Sequence, residues 1–261
     1  MAAFLVLVSV APAFLLSPGA APRPTATRCG SPVRCCDAAP SMPDATSDAV
    51  PAAQFADAWR RDEKATKLFD TLQGCSIYLV GLGGRRSAVG KVLARRLKYR
   101  CYDINNLMCS TYSALSGGGD PLSLPQLVAK EPLADVEQLA NAVLREVQQF
   151  TRSVFIGWDG GVDVASFAVM QQGIIVNVQF EATIDDDVAL PAVDPDAAKE
   201  KWIEGHEKAD ITIKVPAGSA ADDAAFQITD EMLAYIAANP AKSTQWKADA
   251  DAKLADADSS A

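Results

Sequence analysis

The chain lacks the features that define several common protein classes. None of its apolar runs approaches the roughly 20 residues that cross a bilayer, so we expect no membrane partner. It is short of positive charge, and a net charge of −9 disfavours nucleic acid as a partner. The cysteines of the body, Cys75, Cys101 and Cys109, lack the spacing of a metal site, so buried, reduced thiols are expected. The single histidine, His206, has no second ligand or triad partner in view and is expected to be structural.

Acidic residues are missing from residues 1–36, whose only charges are three arginines. Phe4–Val10 has the apolarity of a signal-peptide core, and small residues precede Phe14. The stretch that follows, up to Cys36, is basic and rich in hydroxyl groups, as in transit peptides. We therefore predict a bipartite signal and transit leader, a plastid location and a polar linker over residues 37–50. A disordered N-terminus without a targeting function is the alternative.

Two segments flank a single predicted domain over residues 75–240. Residues 51–74 predict a helix that docks on this domain. Its apolar positions are Phe55, Trp59, Leu68 and Leu72. Residues 241–261 form an acidic tail of low complexity, for which we expect a frayed helix or disorder. Within the domain, the glycine-rich stretch Ser116–Pro125 is expected to be a flexible loop.

Five short predicted strands alternate with helical patterns along the body. These segments are Ile77–Val80, Arg100–Asp103, Ser153–Trp158, Ile174–Phe180 and Asp210–Val215. This alternation predicts an α/β fold, a five-stranded parallel sheet with helices on both faces. In such a sheet, ligands bind beyond the carboxyl ends of the strands. We expect residues 81–87, Asp103 and residues 159–161 to converge there on one crevice.

The glycine turn after the first strand partly matches a dinucleotide-binding fingerprint. Gly81 and Gly83 supply its first two glycines, and Asp103 lies near the expected distance for an acidic residue that binds ribose. The third glycine position, however, is Arg86. A side chain there would disturb the close packing of helix on strand.

The same turn also partly matches a P-loop. Gly81 and Gly84 begin that motif well, but the loop is one residue short. Arg85, Arg86 and Ser87 replace its Gly-Lys-Ser/Thr end. On these residues alone, the two phosphate-binding interpretations stay open.

Further motifs follow the turn in a specific order. They are Val89-Gly90-Lys91, an L-A-x-x-L helix at Leu93–Leu97, Tyr102-Asp103, Asp159-Gly160-Gly161 and the strand Ala209–Ile213. In this order and spacing the chain resembles the shikimate kinase family, from about Ser76 to Ala238. It is most similar to the plastid shikimate-kinase-like proteins, whose kinase motifs are degraded. The resemblance implies a P-loop kinase architecture, with ATP and Mg²⁺ as the cofactors of any retained nucleotide binding.

On the nucleotide side, the resemblance assigns binding to Gly81, Gly84, Arg85, Arg86 and Ser87. Arg86 stands where the phosphate-binding lysine is expected, and Arg85 replaces a loop glycine. Ser87 and Asp103 correspond to the hydroxyl and the carboxylate that serve Mg²⁺. Arginine keeps the charge of lysine but presents a planar fork rather than a compact ammonium group. Arg86 and Asp103 are therefore interpreted as remnants of a catalytic site.

On the substrate side, the resemblance assigns binding to Asn105, Gly160, Gly161 and Lys201. Asn105 replaces a substrate-binding aspartate, and Asp159 replaces the first of three glycines. Glu137 aligns with an arginine that binds the substrate carboxylate, so its charge would repel shikimate, whereas Lys201 keeps the charge of a second such arginine. The lid segment Glu181–Ala198 carries six acidic and no basic residues and would repel a polyphosphate.

These departures predict a plastid shikimate kinase-like protein that is catalytically degenerate. It would act by binding a protein partner, or by binding a nucleotide without turnover. One alternative is an active ATP-dependent kinase for shikimate or another small hydroxylated substrate. The other is a Rossmann-type enzyme that uses Asp103 on a ribose.

Overall fold

The computed structural model describes residues 52–81, 85–117, 120–160, 167, 169–170, 172–181, 208–216 and 218–259. The predicted leader and linker, His206 and the lid segment after Glu181 lie outside these ranges.

Strands and helices alternate along the described chain as expected. The strands are β1 (Ser76–Val80), β2 (Arg100–Asp103), β3 (Ser153–Ile156), β4 (Gly173–Phe180) and β5 (Ile211–Val215). The helices are α1 (Ala52–Leu72), α2 (Arg85–Leu97), α3 (Ile104–Leu115), α4 (Leu124–Lys130), α5 (Leu133–Val147), α6 (Ala221–Ala238) and α7 (Pro240–Ser259). Within the described residues, the helices are all too short or too polar to span a membrane.

The sheet is parallel throughout, in the order β2-β3-β1-β4-β5. Successive side chains of β1 point to opposite faces. Ile77 and Leu79 join a core formed with α1, α2, α6 and α7, and Tyr78 and Val80 join a core formed with α3, α4 and α5. The prediction of a five-stranded parallel sheet with helices on both faces is confirmed.

The carboxyl ends of β1, β2 and β3 lie side by side, since Leu79 pairs with Ile156 and Asp103 pairs with the same residue from the other side. Gly81 leaves β1 with a φ of +134°, and a Cβ atom there would lie 2.4 Å from the carbonyl oxygen of Val178. Glycine is therefore required at the point where the chain turns from β1 toward α2.

Helix α1 packs on α2 and α6, but through only two of the four residues that the apolar pattern predicts. Leu68 and Leu72 are buried as expected, whereas Phe55 and Trp59 are 66% and 67% exposed, so their predicted docking role is wrong. The reason is that ion pairs hold the N-terminal half of α1. Arg61 binds Asp222 at 2.8 Å across to α6.

Two further boundaries differ from the sequence prediction. Helix α4 begins at Leu124, inside the predicted loop Ser116–Pro125, because Ser123 and Gln126 form a capping box and Pro125 fits the first turn of a helix. Strand β3 ends at Ile156, two residues before Trp158.

The acidic tail is a helix rather than a disordered segment. Pro240 opens α7 instead of merely ending α6. Trp246 and Ala250 of this helix are buried, and Lys253 donates a hydrogen bond of 2.7 Å to the carbonyl of Gln148. A few apolar anchors thus dock a segment whose composition is otherwise typical of disorder.

The thiols of the body are free, and two of the three are buried. Cys75 and Cys109 are buried, as predicted, whereas Cys101 is half-buried. Burial raises the pKa of the Cys75 thiol to about 12, so this group is un-ionised at neutral pH.

We expect Trp246→Ala to detach α7 and to lower the melting temperature. Removing a buried tryptophan costs about 3–5 kcal/mol, which for a protein of this size corresponds to a shift on the order of 10 °C. Calorimetry of the full chain measures the shift. The exposed neighbour Lys247→Ala is the matched control, and equal melting of the two variants would show that α7 is not docked.

Candidate functional site

The crevice beyond β1, β2 and β3 holds the polar residues that the sequence places there. Asp103 ends β2 and caps α3, because its Oδ1 accepts a hydrogen bond of 3.1 Å from the backbone N–H of Asn105. Its other oxygen accepts a hydrogen bond of 2.7 Å from the Ser87 hydroxyl, in the first turn of α2. The expected convergence of α2 and β2 on one site is thus confirmed.

Arg86 points into the protein. Its side chain is fully buried, and its Nη2 lies 2.8 Å from Oδ1 of Asp159, in the loop after β3. The same nitrogen donates to the carbonyl of Trp158 at 3.3 Å. Burial lowers the pKa of Arg86 from its ordinary value, and the charge of Asp159 opposes that effect. An arginine starts from so high a pKa that it stays protonated, so this is a buried ion pair.

Asn105 links the end of β2 to the loop after β3. Its Oδ1 accepts a hydrogen bond of 3.1 Å from the backbone N–H of Asp159. A continuous polar network therefore runs from Ser87 through Asp103 and Asn105 to Asp159 and Arg86. We call these five residues the crevice network.

Trp158 fills the space next to this network. Its ring is buried and lies so close to Gly160 that a Cβ atom on Gly160 would fall 2.0 Å from it. The cavity left beside the ring, which Tyr78 and Asn141 help to line, measures about 20 Å³. That volume holds about one water molecule, whereas small-molecule sites usually measure about 300–1,000 Å³.

The crevice fits a magnesium ion better than it fits a triphosphate. The oxygens of Ser87 and Asp103 are the hard ligands that Mg²⁺ prefers. No cluster of three acidic, histidine or cysteine ligands occurs among the described residues. Arg86, which the resemblance assigns to the phosphates, is bound internally to Asp159, so its side chain is not available to a bound triphosphate in this arrangement.

The structure brings together five of the predicted site residues and describes two more nearby. The five are Arg86, Ser87, Asp103 and Asn105, with Gly81 at the end of β1. Arg85 is exposed at the start of α2, and Gly160 is buried against Trp158. Gly84, Gly161 and Lys201 lie outside the described residues. Glu137 is half-buried on α5.

The sequence analysis missed the coupling of Arg86 to Asp159. Both residues were recognised as departures from the kinase pattern, but separately. The pattern offers a clue, because Arg86 keeps a cation after β1 and Asp159 adds an anion after β3, and a parallel sheet of this type places these two strands side by side. An anion added at the strand end next to a retained cation predicts an ion pair.

The chain is similar to curated shikimate kinases. It is 27% identical over 169 residues to the Arabidopsis thaliana protein named "Probable inactive shikimate kinase like 1, chloroplastic", a match that covers 58% of this chain and 56% of that one. It is 29% identical over 112 residues to the shikimate kinase of Synechococcus elongatus, covering 42% and 54% of the two chains. Its relatives are shikimate kinases. The predicted resemblance is confirmed, and the kinase interpretation of the glycine turn is favoured over the dinucleotide one.

These matches cover only part of each chain. The chain spans about half the length of the curated relatives it matches. No family model matches it. Among solved structures, the shikimate kinase of Aquifex aeolicus aligns with 63% of this chain and 98% of that chain, at 22% identity and a TM-score of 0.46.

We expect Asp159→Asn to destabilise the fold by about 3 kcal/mol, because it leaves the guanidinium of Arg86 buried without a counter-charge. This figure lies at the low end of the range for buried pairs, since the Asp159 side chain is 21% exposed. The double variant Arg86→Met/Asp159→Asn removes the charge as well, and we expect it to recover part of the loss. Urea unfolding of the single and double variants measures both effects, and additive losses would contradict a coupled pair.

Proposed function

We propose that this chain is a plastid shikimate kinase-like protein that does not transfer phosphate and acts by binding a protein partner. The observation that carries the proposal is the buried ion pair of Arg86 and Asp159. It removes the cation on which phosphoryl transfer in the related kinases depends. The activity and partners of the whole protein are part of this proposal, because its relatives match over only part of their length.

The physical argument starts from charge. Phosphoryl transfer is catalysed by positioning and by cations that neutralise the phosphates, and removing one such group costs on the order of 10²–10³ in rate. Turning Arg86 outward would break its ion pair and leave Asp159 facing the phosphates. Their like charges repel, so the same residue that holds Arg86 inside also disfavours the nucleotide.

The substrate side supports the same conclusion. Asn105, which corresponds to a substrate-binding aspartate, is already bound to the backbone of Asp159. The Trp158 ring packs against Gly160, and the cavity beside the ring measures about 20 Å³. A sugar-acid substrate would have to displace both groups.

One observation supports a second candidate function, binding of a magnesium nucleotide without turnover. The Ser87 hydroxyl and the Asp103 carboxylate lie 2.7 Å apart at the start of α2, an arrangement that suits Mg²⁺. The N-terminus of α2 adds a partial positive charge that favours an anion. Any such binding would rest on the metal and the helix, since Arg86 is engaged elsewhere.

The plastid location rests on two observations. Residues 1–36 have the composition of a targeting leader. The Arabidopsis thaliana relative carries the word chloroplastic in its name.

We expect the full chain to form no shikimate 3-phosphate from ATP, Mg²⁺ and shikimate. The measurement follows product by mass spectrometry, with the Synechococcus elongatus enzyme as the positive control. Product above the level of a protein-free blank would overturn the proposal.

A double substitution tests whether the ion pair of Arg86 and Asp159 is what excludes the nucleotide. We expect Arg86→Lys/Asp159→Gly to bind MgATP at least about tenfold more tightly than the unsubstituted chain, because it supplies a free cation and removes the anion. Isothermal titration measures the affinity. The exposed acid of α5, Glu146→Gln, is the control for a general loss of negative charge. Equal affinities of the double variant and the unsubstituted chain would show that the ion pair is not what excludes the nucleotide.

A further inference from the structure

Helix α1 presents two large aromatic side chains to solvent. Phe55 and Trp59 are 66% and 67% exposed, and their i, i+4 spacing puts them on one face of the helix. In the described part of the chain, the only other large apolar side chain so exposed is Leu115 on α3. Paired exposed aromatics are costly to keep in water and are enriched at protein interfaces.

An open groove borders Trp59 on the same face of α1, and the described residues that line it all belong to this helix. It measures about 560 Å³, and its lining includes Thr66 and Thr71. Both threonine hydroxyls donate to carbonyls of their own helix, at 2.9 Å and 2.7 Å. The hydroxyl protons of both threonines are therefore already used within the helix, and a ligand in the groove would contact chiefly their methyl groups.

The rim of the groove is acidic. Asp62, Glu63 and Asp70 line it, and Lys67 is the one cation among its described lining residues. Asp62 is bound to Arg96 at 2.9 Å. Glu63 and Asp70 form no ion pair with any other residue that the structure describes, so their charges are available to a cation from outside.

The charges decide among the occupants of this face. A second copy of the chain would bring Glu63 and Asp70 against another acidic face of a protein with net charge −9. The linker of the chain itself, residues 37–50, contains three aspartates and no basic residue, so it too would be repelled. A basic segment would form ion pairs with Glu63 and Asp70, and an apolar stripe on the same segment would cover Phe55 and Trp59.

We infer that the exposed face of α1 is a docking site for a basic amphipathic helix of a partner protein. Its apolar side chains would pack on Phe55 and Trp59, and its lysines or arginines would pair with Glu63 and Asp70. The inference rests on the proposed binding function and gives the chemistry of the partner. It uses no residue of the crevice network, so the two proposals fail separately.

The experiment titrates a fluorescent 14-residue peptide with the full chain and follows anisotropy. The peptide carries leucine at positions i, i+3, i+4 and i+7 and lysine elsewhere. A second peptide carries glutamate in place of every lysine. We expect the lysine peptide to bind with a dissociation constant below about 100 μM, weakening with salt, and the glutamate peptide not to bind.

Matched variants locate the binding. We expect Trp59→Ala to weaken the lysine peptide about tenfold or more, as for a central aromatic at an interface. The double reversal Glu63→Lys/Asp70→Lys should weaken it further and abolish its salt dependence. Leu115→Ala removes the exposed apolar residue of α3, and Glu146→Lys reverses an exposed acid of α5. Neither should change the affinity.

Four results would overturn the inference. They are the absence of lysine-peptide binding, equal effects of Trp59→Ala and Leu115→Ala, a dimer in sedimentation that Trp59→Ala dissociates, and acrylamide quenching that Trp59→Phe leaves unchanged. The last would mean that the chain itself already covers Trp59. Peptide binding by a chain that also phosphorylates shikimate would overturn the proposed function and leave this inference standing.

Discussion

The ion pair of Arg86 and Asp159 ties the helix after β1 to the loop after β3, across the two strands at the centre of the crevice. A buried guanidinium is tolerated only beside a counter-charge, so the position of Asp159 is fixed by Arg86. The backbone of Asp159 in turn fixes Asn105, and the cap of α3 fixes Asp103. One buried cation therefore sets the geometry of three strand ends.

The crevice network differs in kind from a binding site held ready for a ligand. A preorganised site keeps donors and acceptors aimed at the place where the ligand will sit. In this crevice Ser87, Asp103, Asn105 and Asp159 direct their hydrogen bonds at one another. A ligand would have to replace those bonds, at about 1 kcal/mol for each neutral one and about 1.5–3 kcal/mol for each charged one. The hydrogen bonds within the network stabilise it without a ligand, and the same bonds oppose ligand binding because a ligand would have to replace them.

The sequence predicts the sheet well because its evidence is local. The strands β1 and β3 and most of β4 are continuous apolar runs, which in a parallel sheet are buried on both faces, and glycine or aspartate marks the ends of β1, β2 and β3. The position of the crevice then follows from topology alone. The ion pair of Arg86 with Asp159 could not be predicted in this way, since the two residues are 73 positions apart in the sequence. A helix was one of the two expectations for the tail, but the docking of α7 was not predicted, because it depends on Trp246 in a segment whose composition is typical of disorder.

The exposed aromatics of α1 follow from how that helix is held. Arg61 and Arg96 both bind Asp222. Burial alone would raise the pKa of this carboxyl, but the two arginines lower it by more, so the pKa lies below its ordinary value. Because ion pairs fix the N-terminal half of α1, its aromatic residues are not needed for docking. The crevice residues bond to one another, whereas the aromatic side chains of α1 remain exposed. Under the proposed function a partner would therefore bind on α1, because exposed apolar patches mark interaction surfaces.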